Sequence, residues 1–181
     1  MHESIHNWAD LRRFVAADRR GASLKVYLTR PTHRFVLALR LVEWIMCTPM
    51  PRWAKTLALM ACRRYGRSFG FTIPVGTCGP GLKLPHWGSV VVSPLARIGA
   101  GATIHSGVNF GTWHEGAPVT GRDCYFSPGA KLFGPIVLGD RCRVGANAVV
   151  NASFPDESVL VSTIAQVHIQ SSNATSDDSN Q

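Results

Sequence analysis

Six residues separate Val92 from Ile98, Ile98 from Ile104 and Ile104 from Phe110. After one break the same step resumes through Thr120, Phe126, Leu132, Leu138, Val144 and Val150. Small or apolar side chains follow four places on, at Ala96, Ala102 and Val108, then at Cys124, Ala130, Ile136, Cys142, Ala148 and Phe154. A period of six is a multiple of neither 3.6 nor 7, so no helix keeps these residues on one face. A coil of short strands that turns after each hexad does, and stacked coils bury the repeating residues in one continuous column. The repeat therefore predicts a mainly β parallel β-helix between Pro74 and Pro155. Between Phe110 and Thr120 the step is ten, so four extra residues must bulge out as the loop Thr112–Val119. Carried backward, the beat falls on Pro74, Pro80 and His86, with Cys78, Leu84 and Val90 four places on, and makes the first coil irregular.

The residues before the repeat read as helical. Asn7 or Asp10 caps a first helix running to Arg20, with Trp8, Leu11, Phe14 and Val15 on one side. Gly21-Ala22-Ser23 breaks it. A second helix begins after Pro31, carries Phe35, Val36, Leu39, Val42, Ile45 and Met46 at helical spacing, and ends before Pro49. A third, Arg52–Arg64, presents Leu57, Leu59, Met60 and Cys62 as a packing face. The expected division is a helical segment 1–70, a β-helix domain 71–169 and a disordered Ser/Asn/Asp-rich tail 170–181.

The net charge of +8 is concentrated in that helical segment. Residues 1–70 hold 13 Lys/Arg against 4 Asp/Glu, and residues 71–181 hold 6 against 7. Such an excess suits nucleic acid, an anionic membrane or a phosphate-bearing ligand. The arginines are scattered and no nucleic-acid motif accompanies them, so no nucleic acid partner is expected. The apolar run Phe35–Met50 is too short for a bilayer and contains Arg40 and Glu43, which leaves any membrane contact peripheral. Five cysteines without a CxxC pair argue against a disulfide framework or a zinc site. They suit buried thiols, at Cys78, Cys124 and Cys142 in the small positions of the beat, and a cytoplasmic location.

His86 stands in a slot of the beat held elsewhere by Val, Ile, Leu or Phe. An unsatisfied polar ring there costs about 1–3 kcal/mol, so either a hydrogen-bonded structural histidine or a catalytic one explains it. His105 follows Ile104 and should face outward, in a solvated or subunit-edge position. His114 and Glu115 lie in the inserted loop, where functional residues concentrate. His2, His6, His33 and His168 fall outside the repeat and are not expected to do chemistry.

With the helical leader, the hexads and the break together, the chain resembles the hexapeptide-repeat acyltransferases. It is most similar to their serine O-acetyltransferase branch, and within that to short members from exopolysaccharide and O-antigen clusters. The similarity runs from about Leu11 to Val161. It rests on Arg63-Arg64-Tyr65-Gly66, Leu84-Pro85-His86-Trp87-Gly88, Ile98-Gly99-Ala100-Gly101-Ala102, Gly107-Val108-Asn109-Phe110-Gly111, Gly129-Ala130-Lys131-Leu132-Phe133-Gly134 and Val144-Gly145-Ala146-Asn147-Ala148.

The resemblance implies a left-handed parallel β-helix that assembles as a homotrimer, in some relatives paired to a hexamer by the helical leader. It implies acetyl-CoA as co-substrate, lying between neighbouring subunits, and no metal. His86 matches the family's general base, which takes the proton of an acceptor hydroxyl as that oxygen attacks the thioester. Gly111, Thr112, Pro128, Gly129, Lys131, Gly145 and Ala146 match its cofactor groove, with Arg143 a further candidate for the phosphates. His114 and Glu115 are the candidates for acceptor binding.

Three positions depart from the serine enzymes. The aspartate fifteen residues before the base is Phe71, the aspartate directly before it is Pro85, and the loop Arg-His-Pro is Gly116-Ala117-Pro118. An α-carboxylate favours a guanidinium fork, which this loop lacks. The expected acceptor is therefore a sugar hydroxyl of a polysaccharide precursor. Serine, as in cysteine biosynthesis, is the alternative, and an inactive trimeric scaffold is the non-enzymatic one. The family's Val-x-Gly-x-Pro-Ala stretch is replaced by Val161-Ser162-Thr163-Ile164-Ala165.

Overall fold

A computed structural model describes residues 3–19 and 22–162. His2, His168, the end of the 161–165 stretch and the expected tail 170–181 lie outside the described residues.

Four helices come first: α1 (Trp8–Arg19), α2 (Leu24–Thr29), α3 (Pro31–Cys47) and α4 (Arg52–Arg67). The Asn7 side chain accepts the Asp10 N–H at 2.9 Å and so caps α1 as expected. Pro31 opens α3, where its missing N–H is not needed. The short helix α2 is an addition to the sequence reading. The segment taken there as a break contains its cap, Ser23, whose Oγ accepts the Val26 N–H at 3.3 Å.

Eleven short strands follow: β1 (Phe71–Thr72), β2 (Val90–Val92), β3 (Thr103–Ile104), β4 (Asn109–Gly111), β5 (Val119–Thr120) and β6 (Tyr125–Phe126), then β7 (Lys131–Phe133), β8 (Val137–Leu138), β9 (Arg143–Val144), β10 (Val149–Val150) and β11 (Val159–Leu160). All ladders between them are parallel and form three faces of a prism. The first face has the order β1-β2-β4-β7-β10, the second β5-β8, and the third β11-β9-β6-β3. Asn109 lies 18 residues after its partner Val91, and Val149 lies 18 after Lys131, which is three hexads per coil. Lys131 lies 22 after Asn109, so the four inserted residues are accommodated without loss of register.

The beat is the core. Val92, Ile98, Ile104, Phe110, Phe126, Leu132, Leu138, Val144 and Val150 are all buried, as are Ala96, Ala102, Val108, Cys124, Ala130, Cys142 and Ala148. Outward residues alternate with them, so strands such as Tyr125–Phe126 read exposed then buried.

In the first coil the phase differs from the backward count. Cys78 bridges to Ile98 and Lys83 to Thr103, so the core columns continue through Cys78 and Leu84 with a 20-residue step. Pro80 and His86 are therefore not the column residues, and His86 is exposed rather than lodged in an aliphatic slot. Cys78 likewise takes the place of a large aliphatic, not of a small residue. Between Leu84 and Val92 the chain carries two residues beyond the hexad count, and that two-residue slip displaces the positions counted backward from Val92.

The leader is joined to this coil by a buried ionic network. Arg40 is fully buried (0% exposed) on α3. Its Nε donates to Asp18 Oδ2 at 2.9 Å, Nη1 to Glu43 Oε2 at 3.0 Å and to the Cys78 carbonyl at 2.9 Å, and Nη2 to the Gly79 carbonyl at 2.6 Å. Asp18 Oδ1 in turn accepts the Gly81 and Leu82 N–H groups, and Glu43 Oε1 accepts that of Gly76. Backbone groups at the open end of the solenoid, which have no preceding strand to pair with, find their partners in this cluster.

Helix α4 departs from expectation in one respect. Cys62 packs into the core, but Leu57 and Met60 point to solvent, so the predicted packing stripe is split between two sides of the helix.

Candidate functional site

The prism's corners, not its faces, hold the candidate residues. At the corner where the third face passes into the first, each coil makes a tight turn. Here stand His86, then Ser106-Gly107 one coil up, Ser127-Pro128-Gly129 above that, and Gly145-Ala146-Asn147 at the top. The turns share a left-handed residue, with φ of +77° at Gly107 and Gly129 and +56° at Asn147. A Cβ at 129 would also meet the tip of the Asn147 side chain, which would have to turn aside. Gly88, two residues after His86, has φ +137°, and a Cβ on it would sit 2.8 Å from Ser106 Cβ. The bend that presents His86 therefore depends on Gly88.

His86 is exposed, with its ring centroid 6.2 Å from that of His105, whose ring lies 5.0 Å from that of Tyr125. The three rings climb successive coils along this edge. His105, expected to be solvated or at a subunit edge, is half-buried beside the candidate base. Sequence reasoning missed this neighbour because the backward count put His86 in the wrong phase. The Leu84–Ile104 stacking brings residue 86 next to residues 105 and 106.

The corner also carries four of the expected cofactor residues. Pro128 and Ala146 are exposed, and Gly129 and Gly145 are half-buried. Lys131 points back into the same corner, where its Nζ donates to the Gly107 and Gly129 carbonyls at 2.5 and 2.9 Å. One of its three donors is left for a ligand. Arg143 is exposed on the outward third face, in a shallow cleft with Tyr125 and Val159.

The remaining candidates occupy a different corner, between the first and second faces. Gly111 ends β4, half-buried beneath the Phe133 ring, which a Cβ would strike. Thr112 is exposed. The inserted residues form a two-residue hairpin in which Trp113 and Gly116 exchange N–H···O bonds of 3.0 and 3.2 Å. His114 and Glu115 are its tip, with φ of +45° and +53°, an uncommon strain for two non-glycine residues in sequence. Both side chains are exposed, and the His114 ring lies 4.6 Å from that of Trp113. Within one chain the width of the first face therefore separates His114, Glu115, Gly111 and Thr112 from His86.

Phe71, at the position of the family's base-orienting aspartate, is core. It is 2% exposed and packs 5.0 Å from the Phe35 ring under the leader. Burial raises the Cys78 thiol to about 12 and the Cys124 thiol to about 11, which removes both as nucleophiles near neutral pH. Among the described residues no group of three or more His, Cys, Asp or Glu is arranged to hold a metal ion, and no helix is long and apolar enough to cross a membrane.

Burial and the neighbouring His86 lower the pKa of His105, and burial with Arg30 lowers that of His33. Folding thus favours both neutral rings, while the unfolded chain accepts protons first on acidification. Their contribution is fully present above the ordinary histidine range near 6.5 and is lost as pH falls below it. The urea midpoint should drop between about pH 7.5 and about pH 5.5, on either side of that range. The drop should be smaller in His105→Gln, and an equal drop in that variant would show that His105 does not contribute.

No family model matches the chain. It is 32% identical over 154 residues to a serine acetyltransferase of Mycobacterium tuberculosis, across 82% of this chain and 66% of that protein. It is 35% identical over 97 residues to one of Helicobacter pylori, across 51% of this chain and 57% of that protein. The chain thus spans 57–66% of the length of these two relatives. Among solved structures, serine acetyltransferase isoform 3 of Entamoeba histolytica in complex with cysteine superposes with a TM-score of 0.71 at 19% identity, over 91% of this chain and 61% of that one. The soybean serine acetyltransferase apoenzyme gives 0.71 at 24%, over 87% of this chain and 69% of that one. At these identities the structural likeness is one of fold.

Proposed function

We propose that the chain is a member of the hexapeptide-repeat acyltransferase family and that it transfers an acetyl group from acetyl-CoA to an acceptor hydroxyl, with His86 as general base. The observation that carries this reading is the position of His86, an exposed imidazole at the foot of the corner that bears Pro128, Gly129, Gly145 and Ala146. Small residues and accessible backbone on that corner suit the pantetheine arm, and Arg143 with the remaining Lys131 donor suits its phosphates.

In the reaction, neutral His86 takes the hydroxyl proton as the acceptor oxygen bonds to the thioester carbonyl carbon. The C–S bond of the tetrahedral intermediate then breaks, and the imidazolium returns the proton to the departing thiolate. Gly111, Thr112, His114 and Glu115 stand at another corner, so they reach this site only from a neighbouring subunit. This favours the homotrimer. The outward Val119, Val137 and Val149, 41%, 55% and 68% exposed, are apolar residues that such an assembly would cover. Use of acetyl-CoA suits a cytoplasmic enzyme.

The sugar acceptor expected above finds no support among the named relatives, which are serine acetyltransferases. Serine is therefore the acceptor we put first. Its α-carboxylate lacks a guanidinium in the Gly116-Ala117-Pro118 loop, and Lys83, exposed three residues before the base, is the nearest cation along the chain. Thiol release from acetyl-CoA, measured with serine and with nucleotide-linked sugars, tests this directly. Turnover with serine is expected. Turnover with sugars alone restores the polysaccharide reading, and no acetyl-CoA binding at all favours the inactive scaffold.

A further inference from the structure

Helix α4 carries Arg52, Lys55, Arg63, Arg64 and Arg67 and no acidic residue. Steps of three and four residues place Trp53, Leu57, Met60, Arg64 and Arg67 on one stripe. That stripe faces away from the protein. Trp53 is 72% exposed, Leu57 58% and Met60 54%, while Cys62 and Gly66 on the opposite side are buried. The core face of the helix is fully used, since Ala58, Leu59 and Tyr65 also pack against the core. Three large apolar side chains in a row, one of them tryptophan, are thus held outside the fold by the same helix that packs it.

We propose that this stripe is a peripheral docking surface for an anionic lipid bilayer. The reading is independent of the acetyl-transfer chemistry. Charge and shape both favour lipid. Apolar residues occupy the N-terminal half of the stripe and arginines its C-terminal half and flank, the composition of a helix lying in a headgroup layer with its indole at the interface. Arg34 of α3 is a further exposed cation on the flank of the helix, its guanidinium 5.8 Å from the centre of the Tyr65 ring. A second copy of the same face would bring no carboxylate from α4 to pair with these arginines. A nucleic acid would use the arginines but has no use for Leu57 and Met60. Helix α4 leads into β1, and the Gly88 N–H donates to the Phe69 carbonyl at 2.9 Å, so the surface lies at the His86 end of the prism. Docking there would hold the candidate site close to the bilayer.

The test is co-sedimentation of the full chain with vesicles of phosphatidylcholine alone and of phosphatidylcholine and phosphatidylglycerol in equal parts. Pelleting is expected with the mixed vesicles only, weakening as salt is raised. It should be lost in the triple variant Trp53→Ser, Leu57→Ser, Met60→Ser and in the pair Arg64→Glu, Arg67→Glu, with thermal melting of both variants unchanged. No pelleting, or equal pelleting by the wild type and the triple variant, overturns the proposal. So does a change of oligomeric mass in the triple variant with its lipid binding intact, which would assign the stripe to a second copy. Retention on immobilised DNA that survives the serine substitutions, without vesicle binding, would assign it to nucleic acid.

Discussion

His86→Ala is expected to lower kcat/KM for acetyl transfer by about 100- to 10,000-fold, the usual range for loss of a positioned general base. Its urea midpoint should be unchanged. The two readouts belong together because the ring is exposed and fills no core slot, so its removal leaves no cavity. Acetyl-CoA binding, measured separately, should survive, since the groove we propose for it is built from corner residues of the coils above. An active His86→Ala protein would remove the proposed base. An inactive one with a lowered urea midpoint would make His86 a structural residue.

Arg40→Ala is expected to have the largest effect on stability, a loss of about 3–5 kcal/mol, because it strands two buried carboxylates without their cation. Asp18 is 5% exposed and Glu43 8%, and neither can recover bulk solvation once Arg40 is gone. The Cys78 and Gly79 carbonyls lose their donors at the same time. Arg40→Lys should rescue only part of this loss, since an ammonium cannot span four acceptors as the planar guanidinium does. Urea denaturation of the three proteins checks the order wild type, lysine variant, alanine variant. An alanine variant as stable as the wild type would show that the network is not what fastens the leader to the solenoid. A normal value for Arg40→Ala in the acetyl-transfer assay at low temperature would keep this structural effect separate from catalysis.

The solenoid was legible because its signal is repeated. From Val92 to Val150 each large residue of the beat recurs in the core, and the excess of four residues at Thr112–Val119 emerges as the Trp113–Gly116 hairpin. Helix limits at Asn7 and Pro31 were legible for a local reason, since a cap or a proline acts on adjacent backbone. The first coil was not. Its two extra residues break the count, and nothing local marks where they enter, so His86 was placed in the interior when it stands outside. The exposure of Leu57 and Met60 was hidden for a similar reason. Helical spacing shows that residues share a side, but not whether anything covers it.

Periodicity and caps act over a few residues, and those forces by themselves determined the helical leader, the parallel β-helix and the loop that interrupts it. Only the tertiary structure decided which corner each chemical group occupies. It set His86 beside His105 and below Pro128 and Gly145, and it carried His114 to another edge. It also recruited Asp18, Arg40 and Glu43 to the open end of the first coil. These relations join residues up to 64 positions apart, and they depend on how coils stack and where buried backbone groups find partners, which no local pattern encodes.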